Sequence, residues 1–467
     1  MMNELPVAVI GAGPIGLAAA ANLAQRGIAA HVYEAGATVG ANLRDWAHVR
    51  IFTTWEQSVD PVSRALLEGD GWTMPKADAL PTGGDLCDHY LEPLSRVPSL
   101  SAAIETEAKV VAISRRGIDK VASQERETKP FILRVRKSDG SERVDLARAV
   151  IDASGTWQNQ NPLGATGLPA MGEARLRDRL AYGMPDILGA ARARYAGKRV
   201  AVVGAGYSAI NVLLDLTKLG DEIAGGALFW VVRGRNTAKI YGGGDADALA
   251  ARGRLGQHLK SLVESGRVRL VTGFATDAVA QDANGLVLSG TIDGAAASLP
   301  PVDEIIVATG QRPDLDLTRE LRLELDPWLE GVKALGPLID PNLHSCGSVP
   351  PHGHRELAHP EPGFYTIGVK SYGRAPTFLL LTGYEQARSV VAAIAGDMAA
   401  ADDVHLVLPE TGICQTDFED ACCGTPAVAE AASCCGGPAV VLEEACCVAD
   451  EIAKVEGNRG CGCGAAA

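Results

Sequence analysis

Two glycine-rich motifs with the same pattern lie far apart in this chain. Residues 11–16 read Gly-Ala-Gly-Pro-Ile-Gly, and residues 204–209 read Gly-Ala-Gly-Tyr-Ser-Ala. Each motif follows a short strand-like run, residues 6–10 or 199–203, and precedes a helix-favouring segment. A strand, a glycine turn and a helix in this order let backbone amides at the helix start approach a pyrophosphate. Two such units predict a flavoprotein that is reduced by a nicotinamide nucleotide.

The first unit has every element that this pattern needs. The strand that follows the predicted helix, residues 30–33, ends in Glu34. A carboxylate at this point is placed to accept hydrogen bonds from a ribose. The residues of the motif that are predicted to contact FAD are Gly11, Gly13, Pro14, Ile15 and Gly16.

The second unit differs at the end of its next strand. The run 228–232 continues into Arg233-Gly234-Arg235, with no acidic residue. Arginines in place of the carboxylate favour the 2′-phosphate of NADPH over the free hydroxyl of NADH, although a solvated turn would have the same composition. Alanine at the third glycine position is a tolerated change. The residues predicted to contact NADPH are Gly204, Gly206, Tyr207, Ser208, Ala209, Arg233 and Arg235.

Two further apolar runs, residues 149–155 and 304–310, end in a small residue and a glycine and bracket the second motif. Such ends let the backbone approach a cofactor or pass between domains. We therefore predict an α/β fold with two Rossmann-like three-layer domains, in which an NADPH domain is inserted into a discontinuous FAD domain. An antiparallel crossover is expected between Val110 and Val144. The predicted segments are 1–164 (FAD, first part), 165–300 (NADPH), 301–398 (FAD, second part) and 399–467 (a small Cys-rich C-terminal appendage).

The appendage holds nine of the 11 cysteines, and six of these form vicinal pairs that begin 12 residues apart. Closely spaced thiolates suit soft ions, among which As(III) and Sb(III) join Cu(I) and Zn(II). Adjacent cysteines form a strained ring if they bridge each other, so capture of one ion by two pairs is the favoured interpretation. Structural zinc, redox buffering and a disulfide-stapled tail are the alternatives. The predicted ligands are Cys422, Cys423, Cys434, Cys435, Cys446, Cys447, Cys461 and Cys463.

The charge and hydropathy of the chain limit the kinds of partner that it is expected to bind. The net charge is -14 and no basic run occurs, which argues against nucleic-acid binding. No apolar stretch reaches 18 residues, so no membrane span is predicted. No signal peptide precedes the first motif, and this predicts a reduced, cytoplasmic protein. A homodimer is the assembly to test.

Residues 1 to about 396 resemble the two-dinucleotide-binding flavoproteins, and most closely the flavin-containing monooxygenases associated with arsenic-resistance operons. The two glycine motifs specify the superfamily. The closer resemblance, to the arsenic-resistance monooxygenases, rests on three further segments, residues 39–50, 370–377 and 384–389.

The resemblance implies a reaction. NADPH would reduce FAD, oxygen would form a C4a-(hydro)peroxide, and its distal oxygen would oxidise a trivalent arsenical to the pentavalent form. Arsenite, methylarsenite and antimonite all fit as substrates. Lys370 and Arg374 are candidates for positions near the flavin ring, and no other catalytic residue is predicted. The further FAD contacts predicted are Asn42, Trp46, Val110, Ala153, Ser154, Gly155, Gly310 and Gly368.

Three departures from the relatives keep alternatives open. The Phe-x-Gly-x-x-x-His motif of flavin-containing monooxygenases is missing between residues 167 and 195. A Gly-Asp pair that contacts flavin reads Gly368-Val369 here. Cys87 is the only cysteine near the first motif, so no flavin-side dithiol is expected. The alternatives are an NADPH-dependent reductase of a metal ion or disulfide, and a metalloid-binding chaperone or sensor.

Overall fold

A computed structural model describes residues 4–223, 225–236, 241–344 and 349–409 of the protein. No helix within these ranges is long and apolar enough to cross a membrane. The predicted α/β fold with Rossmann-like parallel sheets is confirmed.

The first apolar run forms the central strand of a five-stranded parallel sheet. The strand order is β16-β7-β1-β2-β3, so the chain leaves β1 for β2 on one side while β7 and β16 lie on the other. The order therefore reverses between β1 and β7, and a crevice opens there at the carboxyl ends of the strands. The strands are β1 (Val7–Ile10), β2 (Ala30–Tyr33), β3 (Ile104–Glu105), β7 (Ala149–Asp152) and β16 (Phe364–Thr366).

The second motif lies in a second five-stranded parallel sheet of the same design. Its order is β11-β10-β9-β15-β8, with the reversal between β9 and β15. The strands are β8 (Leu180–Tyr182), β9 (Val200–Val203), β10 (Leu228–Val231), β11 (Arg269–Val271) and β15 (Glu304–Val307). Strand β15 pairs with β9 and β8, so the second sheet includes residues up to Val307, beyond the predicted boundary at residue 300.

The other strands of the described residues form two three-stranded antiparallel sheets. The crossover predicted between Val110 and Val144 is confirmed as β4 (Ala108–Arg115), β5 (Phe131–Lys137) and β6 (Glu142–Ala147). A similar sheet joins the second domain, with β12 (Phe274–Asp282), β13 (Gly285–Ile292) and β14 (Ala295–Ser298).

Among the described residues, four long helices lie beside the parallel sheets. Helix α1 is Ala-rich and buried from Pro14 to Leu23, because its small side chains allow close packing. The long helices are α1 (Pro14–Gln25), α9 (Tyr207–Glu222), α10 (Ala250–Glu264) and α12 (Leu380–Ile394). The short helices are α2 (Ala41–Arg44), α3 (Trp55–Ser58), α4 (Pro61–Gly69), α5 (Gly83–Leu86), α6 (Glu92–Arg96), α7 (Pro98–Ser101), α8 (Arg192–Tyr195), α11 (Gly336–Ile339) and α13 (Met398–Asp402).

The two segments that connect the parallel sheets run side by side. The Asn161 amide donates to the Gly310 carbonyl at 2.9 Å, and the Thr309 hydroxyl donates to the Asn161 carbonyl at 3.0 Å. The Asn161 side chain also donates to the Thr309 carbonyl at 3.1 Å. These bonds fix the connection close to the crevices of both sheets.

Candidate functional site

The first glycine turn lies at the reversal of the first sheet. Gly11 has a φ of +94°, and a Cβ atom there would lie 2.7 Å from the Ala153 carbonyl oxygen. A Cβ at Gly16 would lie 1.8 Å from the Gly11 carbonyl oxygen. Only glycine fits both positions. Helix α1 begins at Pro14 with Gly13 as its N-cap and no side-chain cap, so its first amides are suited to a phosphate.

The second turn repeats this construction at the reversal of the second sheet. Gly204 has a φ of +139°, and a Cβ there would lie 2.1 Å from the Ala308 carbonyl oxygen. Gly206 is the N-cap of α9, again without a side-chain cap. Ala209 is fully buried where the first motif has a glycine. The two motifs therefore have equivalent backbone geometry, of the kind that suits a phosphate.

The chain brings an aromatic residue of its first segment to the second turn. The ring of Tyr207, the first residue of α9, lies 5.3 Å from that of Phe52 between centroids. Ser208, the next residue, is half-buried. This contact brings residues of the two domains close together.

Glu34 is fixed beside the first turn. Its carboxylate accepts hydrogen bonds from the amides of Ala12 and Gly36, both at 2.8 Å. Burial raises the pKa of Glu34, and the two amide bonds oppose that rise. The carboxylate stands directly after β2, where an acceptor for a ribose is expected.

A buried ion pair lies at the other side of the same crevice. The Lys370 ammonium is 2.7 Å from an Asp152 oxygen and 3.0 Å from the Ser154 hydroxyl. That hydroxyl donates to Asp152 at 2.7 Å. Asp152 ends β7, and Lys370 lies in the 3-10 turn Gly368–Tyr372 after β16. Sequence reasoning singled out Lys370 and Ser154 but missed Asp152, although an aspartate that ends an apolar strand was a visible signal.

The start of α12 packs against the first turn. A Cβ at Gly383, in the first turns of α12, would lie 2.5 Å from Ile15, and one at Gly368 would lie 3.4 Å from the same side chain. The hydroxyls of Thr377 and Thr382 are buried and have no hydrogen-bond partner among the described residues. These two threonines were not predicted, because hydroxyls near a helix start are common in sequences. Two buried free hydroxyls beside an uncapped helix start are well placed to meet a polar group of a bound cofactor.

The remaining FAD candidates divide into two groups. Asn42 accepts a hydrogen bond from Gln158 at 2.9 Å, and its amide nitrogen would lie 3.8 Å from a Cβ at Gly155. Trp46 lies 6.2 Å from Trp157 between ring centroids. These residues gather around the end of β7.

Other candidates lie elsewhere. Val110 is buried in the antiparallel sheet, paired with Val135. Gly310 follows β15, a strand of the second sheet, and Arg374 is exposed. The Gly368 amide donates to the Gln386 side chain at 2.7 Å. A flavin contact at each of these residues stays a prediction.

The two arginines predicted for NADPH extend from the second sheet. Arg233 and Arg235 are exposed and follow β10, as Glu34 follows β2. Arg233 donates to the Ala165 carbonyl at 2.6 Å, and Arg235 forms an ion pair with Asp293. Their location is consistent with recognition of a 2′-phosphate.

Cys87 is fully buried in the core of the first domain. Its thiol lies 3.7 Å from the Gly40 carbonyl, and burial raises its pKa to about 11. The reactive form of a cysteine is the thiolate, so this thiol is unsuited to redox chemistry at neutral pH. Cys346 and all eight predicted metal ligands of the appendage lie outside the described residues. These ligands are Cys422, Cys423, Cys434, Cys435, Cys446, Cys447, Cys461 and Cys463.

Three histidines between residues 352 and 359 have separate partners. His352 contacts the Pro350 carbonyl at 3.0 Å, and His354 contacts Asp402 at 2.8 Å. His359 packs against Phe364, with 5.8 Å between the ring centroids. No group of three metal-ligating side chains occurs within the described part of the chain.

Comparison with known proteins identifies the family to which this chain belongs. The family model "Pyridine nucleotide-disulphide oxidoreductase" matches residues 5–349. A comparison with curated protein sequences finds no significant match.

Solved structures share the fold at low identity. The bacillithiol disulfide reductase Bdr of Bacillus cereus has 19% identity and a TM-score of 0.63, over 84% of this chain and 99% of that one. The cadaverine monooxygenase DfoA of Erwinia amylovora has 14% identity and a TM-score of 0.59, over 90% and 99%. A flavin monooxygenase of Stenotrophomonas maltophilia has 22% identity and a TM-score of 0.53, over 84% and 98%.

Proposed function

This chain belongs to the pyridine nucleotide-disulphide oxidoreductase family, and from that premise we propose that it is an FAD- and NADPH-dependent monooxygenase of trivalent arsenicals. The coarser assignment, an NAD(P)-dependent flavoprotein oxidoreductase, follows from the family and the fold. One observation favours oxygenation over disulfide reduction. Two glycine turns of equivalent backbone geometry lie at the two sheet reversals, while Cys87, the one cysteine among the described residues, is buried in the core.

The residues of the two crevices fit the two nucleotides. The Gly11–Gly16 turn and Glu34 would hold the pyrophosphate and ribose of FAD. The Gly204–Ala209 turn with Arg233 and Arg235 would hold NADPH. When bound, the flavin supplies the chemistry that accepts a hydride from NADPH and passes electrons to oxygen. The protein binds both nucleotides, orients them and excludes water.

Oxygenation is favoured over disulfide reduction because the described residues offer no reactive thiol. Residues 1–409 contain only two cysteines, Cys87 and Cys346, 259 positions apart in the sequence. A flavin-linked disulfide reductase commonly passes electrons through thiols beside the flavin. The likeness to a bacillithiol disulfide reductase supports reduction of a disulfide as the second candidate.

The arsenical is proposed from the appendage. Its vicinal cysteine pairs match the preference of trivalent arsenic for thiolates. An ion captured on the same chain has a local concentration of about millimolar. Trivalent arsenic also has a lone pair that can attack an electrophilic oxygen. In the balanced reaction one oxygen atom of O2 joins arsenic, the other leaves as water, and NADPH and one proton from solvent are consumed to give NADP+.

The test is NADPH oxidation by the FAD-loaded protein in air, with methylarsenite, arsenite or antimonite, and product speciation on the same samples. We expect stimulated NADPH oxidation with one pentavalent product per NADPH. Consumption that continues without oxygen and yields a reduced disulfide or metal would establish the second candidate. NADPH oxidation of no more than one equivalent would instead indicate a binding protein or sensor.

The role of the appendage needs its own variant of the full chain. Replacing all six cysteines of the vicinal pairs by serine should lower turnover at low arsenical concentration and leave the saturated rate unchanged. A rate that is unaffected at every concentration would remove the appendage from the proposal.

A further inference from the structure

The first crevice has a buried charge at a position where the second has none. Asp152 pairs in register with Ile10, next to Gly11, and Val307 pairs in the same way with Val203, next to Gly204. The two strand ends are otherwise alike, since each brings an alanine carbonyl against the glycine of its turn. The fold therefore accepts an apolar side chain at this point.

The charge is paired and deeply enclosed. Asp152 is 0% exposed and Lys370 is 2% exposed, with 2.7 Å between the ammonium and the carboxylate. Asp152 also accepts hydrogen bonds from the Ser154 hydroxyl at 2.7 Å and the Ser154 amide at 3.1 Å. The ammonium is thus held by two acceptors, and both belong to the end of β7.

Such a pair is a poor way to stabilise a fold. Removing two charges from water costs more than their attraction returns in many proteins, and apolar replacements of similar volume are often neutral or stabilising. Val307 shows the apolar solution in this same chain. Because the ion pair is present at only one of the two equivalent crevices, its role is not to stabilise the fold.

The location of the ion pair indicates which part of a bound dinucleotide it would lie beside. A dinucleotide lies across the carboxyl ends of the strands, with its adenosine ribose at the acid that follows β2. Glu34 marks that side of the first crevice. Lys370 and Asp152 lie on the opposite side, at the ends of β16 and β7, where the other half of the dinucleotide has to extend.

We propose that Lys370 supplies a fixed positive charge at the flavin end of the first crevice and thereby favours the reduced flavin, with Asp152 and Ser154 as its positioning residues. Hydride transfer gives the flavin two electrons and one proton, so the reduced form gains negative charge. A preorganised cation in a site of low dielectric favours that form. This inference rests on the proposed binding of FAD in the first crevice.

The experiment measures the flavin midpoint potential in four full-length variants and in the wild type. They are Lys370→Met, Lys370→Arg, Asp152→Val and the double variant Asp152→Val with Lys370→Met, which copies the apolar arrangement at Val307. The second readout is the Tm of the FAD-free protein. Lys370→Met should weaken the preference for reduced over oxidised flavin about tenfold, which is about 30 mV for two electrons. Lys370→Arg should keep most of the wild-type value.

The double variant separates charge from structure. Each single apolar replacement leaves one buried charge unpaired and should lower the Tm, whereas the double variant should recover it. If the inference holds, the potential of the double variant stays low while its Tm recovers. Recovery of both, or no change in potential in Lys370→Met, would show that the pair is only structural and overturn the inference.

The outcome for the proposed function remains distinguishable. A wild-type protein that retains no FAD would overturn the FAD assignment and this inference with it. A protein that binds FAD but oxidises no arsenical would overturn only the proposed substrate, because the midpoint potential is measured without one.

Discussion

The two nucleotide crevices share a backbone construction. In each, the first glycine of the motif has a positive φ and meets the carbonyl of an alanine that follows the strand across the reversal. In each, a helix without a side-chain cap begins after the turn. These features serve a pyrophosphate, which both nucleotides have, and so both crevices need them.

The same crevices differ in their charges. A buried carboxylate, Glu34, follows β2, whereas exposed Arg233 and Arg235 follow β10. Asp152 with its partner Lys370 stands at the first reversal, and Val307 stands at the second. The two crevices therefore share the backbone geometry that a nucleotide phosphate needs, and they differ in the charges of their side chains.

The largest expected effect comes from blocking one of the two glycine turns at a time. In Gly11→Val the new side chain collides with the Ala153 carbonyl, and the positive φ adds strain, so we expect FAD retention to be lost. Gly204→Val should keep FAD but abolish its reduction by NADPH. Each change is the control for the other. Flavin content is measured by absorbance, and reduction is followed under anaerobic conditions with NADPH.

That pair of variants can also break the comparison. If Gly204→Val lost FAD while Gly11→Val kept it, the two cofactors would be exchanged between the crevices. Each blocked glycine turn should weaken nucleotide binding by about 3 kcal/mol or more, which is over 100-fold in affinity.

A second prediction concerns pH, because the first sheet is backed by a buried histidine. Burial lowers the pKa of His359 from 6.5 to about 4. The unfolded chain therefore takes up a proton before the folded one does, and stability present above pH 6.5 is lost as the pH falls toward 4. Between pH 7 and pH 5 the loss is about 2 kcal/mol. His359→Gln should remove this slope.

The measurement is urea unfolding of the FAD-loaded protein at pH 7, 6 and 5, followed by the rise in FAD fluorescence on release. His258→Gln is the matched control, since His258 is exposed on α10 of the second domain. Equal pH slopes in the wild type and His359→Gln would show that the ring is not the source of acid sensitivity.

The third prediction tests the charge difference directly. Replacing Arg233 and Arg235 by alanine removes the cations proposed for the 2′-phosphate, so the KM for NADPH should rise about 10- to 100-fold. The KM for NADH should change little. Lys218→Ala, at an exposed cation on α9, controls for the loss of positive charge in the same domain. An unchanged ratio of the two KM values would mean that the arginines form only a solvated turn.

The sequence predicts the structure well where it is local to a short segment. The turn residues Gly11 and Gly204 and the acid Glu34 occupy the predicted places, because a strand, a turn and a helix specify them within about 25 residues. The antiparallel sheet around Val110 was predicted for the same reason.

The failures concern partners that are distant in the chain. The runs 149–152 and 304–307 are alike in sequence, and the choice of sheet depends on pairing with strands far away. The run 304–307 therefore could not be assigned to the second sheet from the sequence alone. Asp152 and Lys370 are 218 residues apart, and no local pattern shows that they form a pair. The appendage shows a repeat in sequence, and its metal site stays a prediction.

The smallest expected effect concerns the third position of each motif. Gly16 cannot carry a Cβ, which would lie 1.8 Å from the Gly11 carbonyl oxygen, whereas Ala209 is accommodated at the corresponding place. Ala209→Gly should therefore leave the KM for NADPH within about twofold. It should cost about 1 kcal/mol of stability, because glycine loses more backbone entropy than alanine in a helix.

Thermal unfolding of Ala209→Gly, beside NADPH kinetics, is the measurement, and the reciprocal change Gly16→Ala is the control. Gly16→Ala should weaken FAD binding because its helix has to move away from the turn. If Ala209→Gly instead tightened NADPH binding several-fold, the alanine would be holding α9 away from the turn. The second glycine turn would then be less tightly packed than the first, and the two helices that follow the turns would not be equivalent.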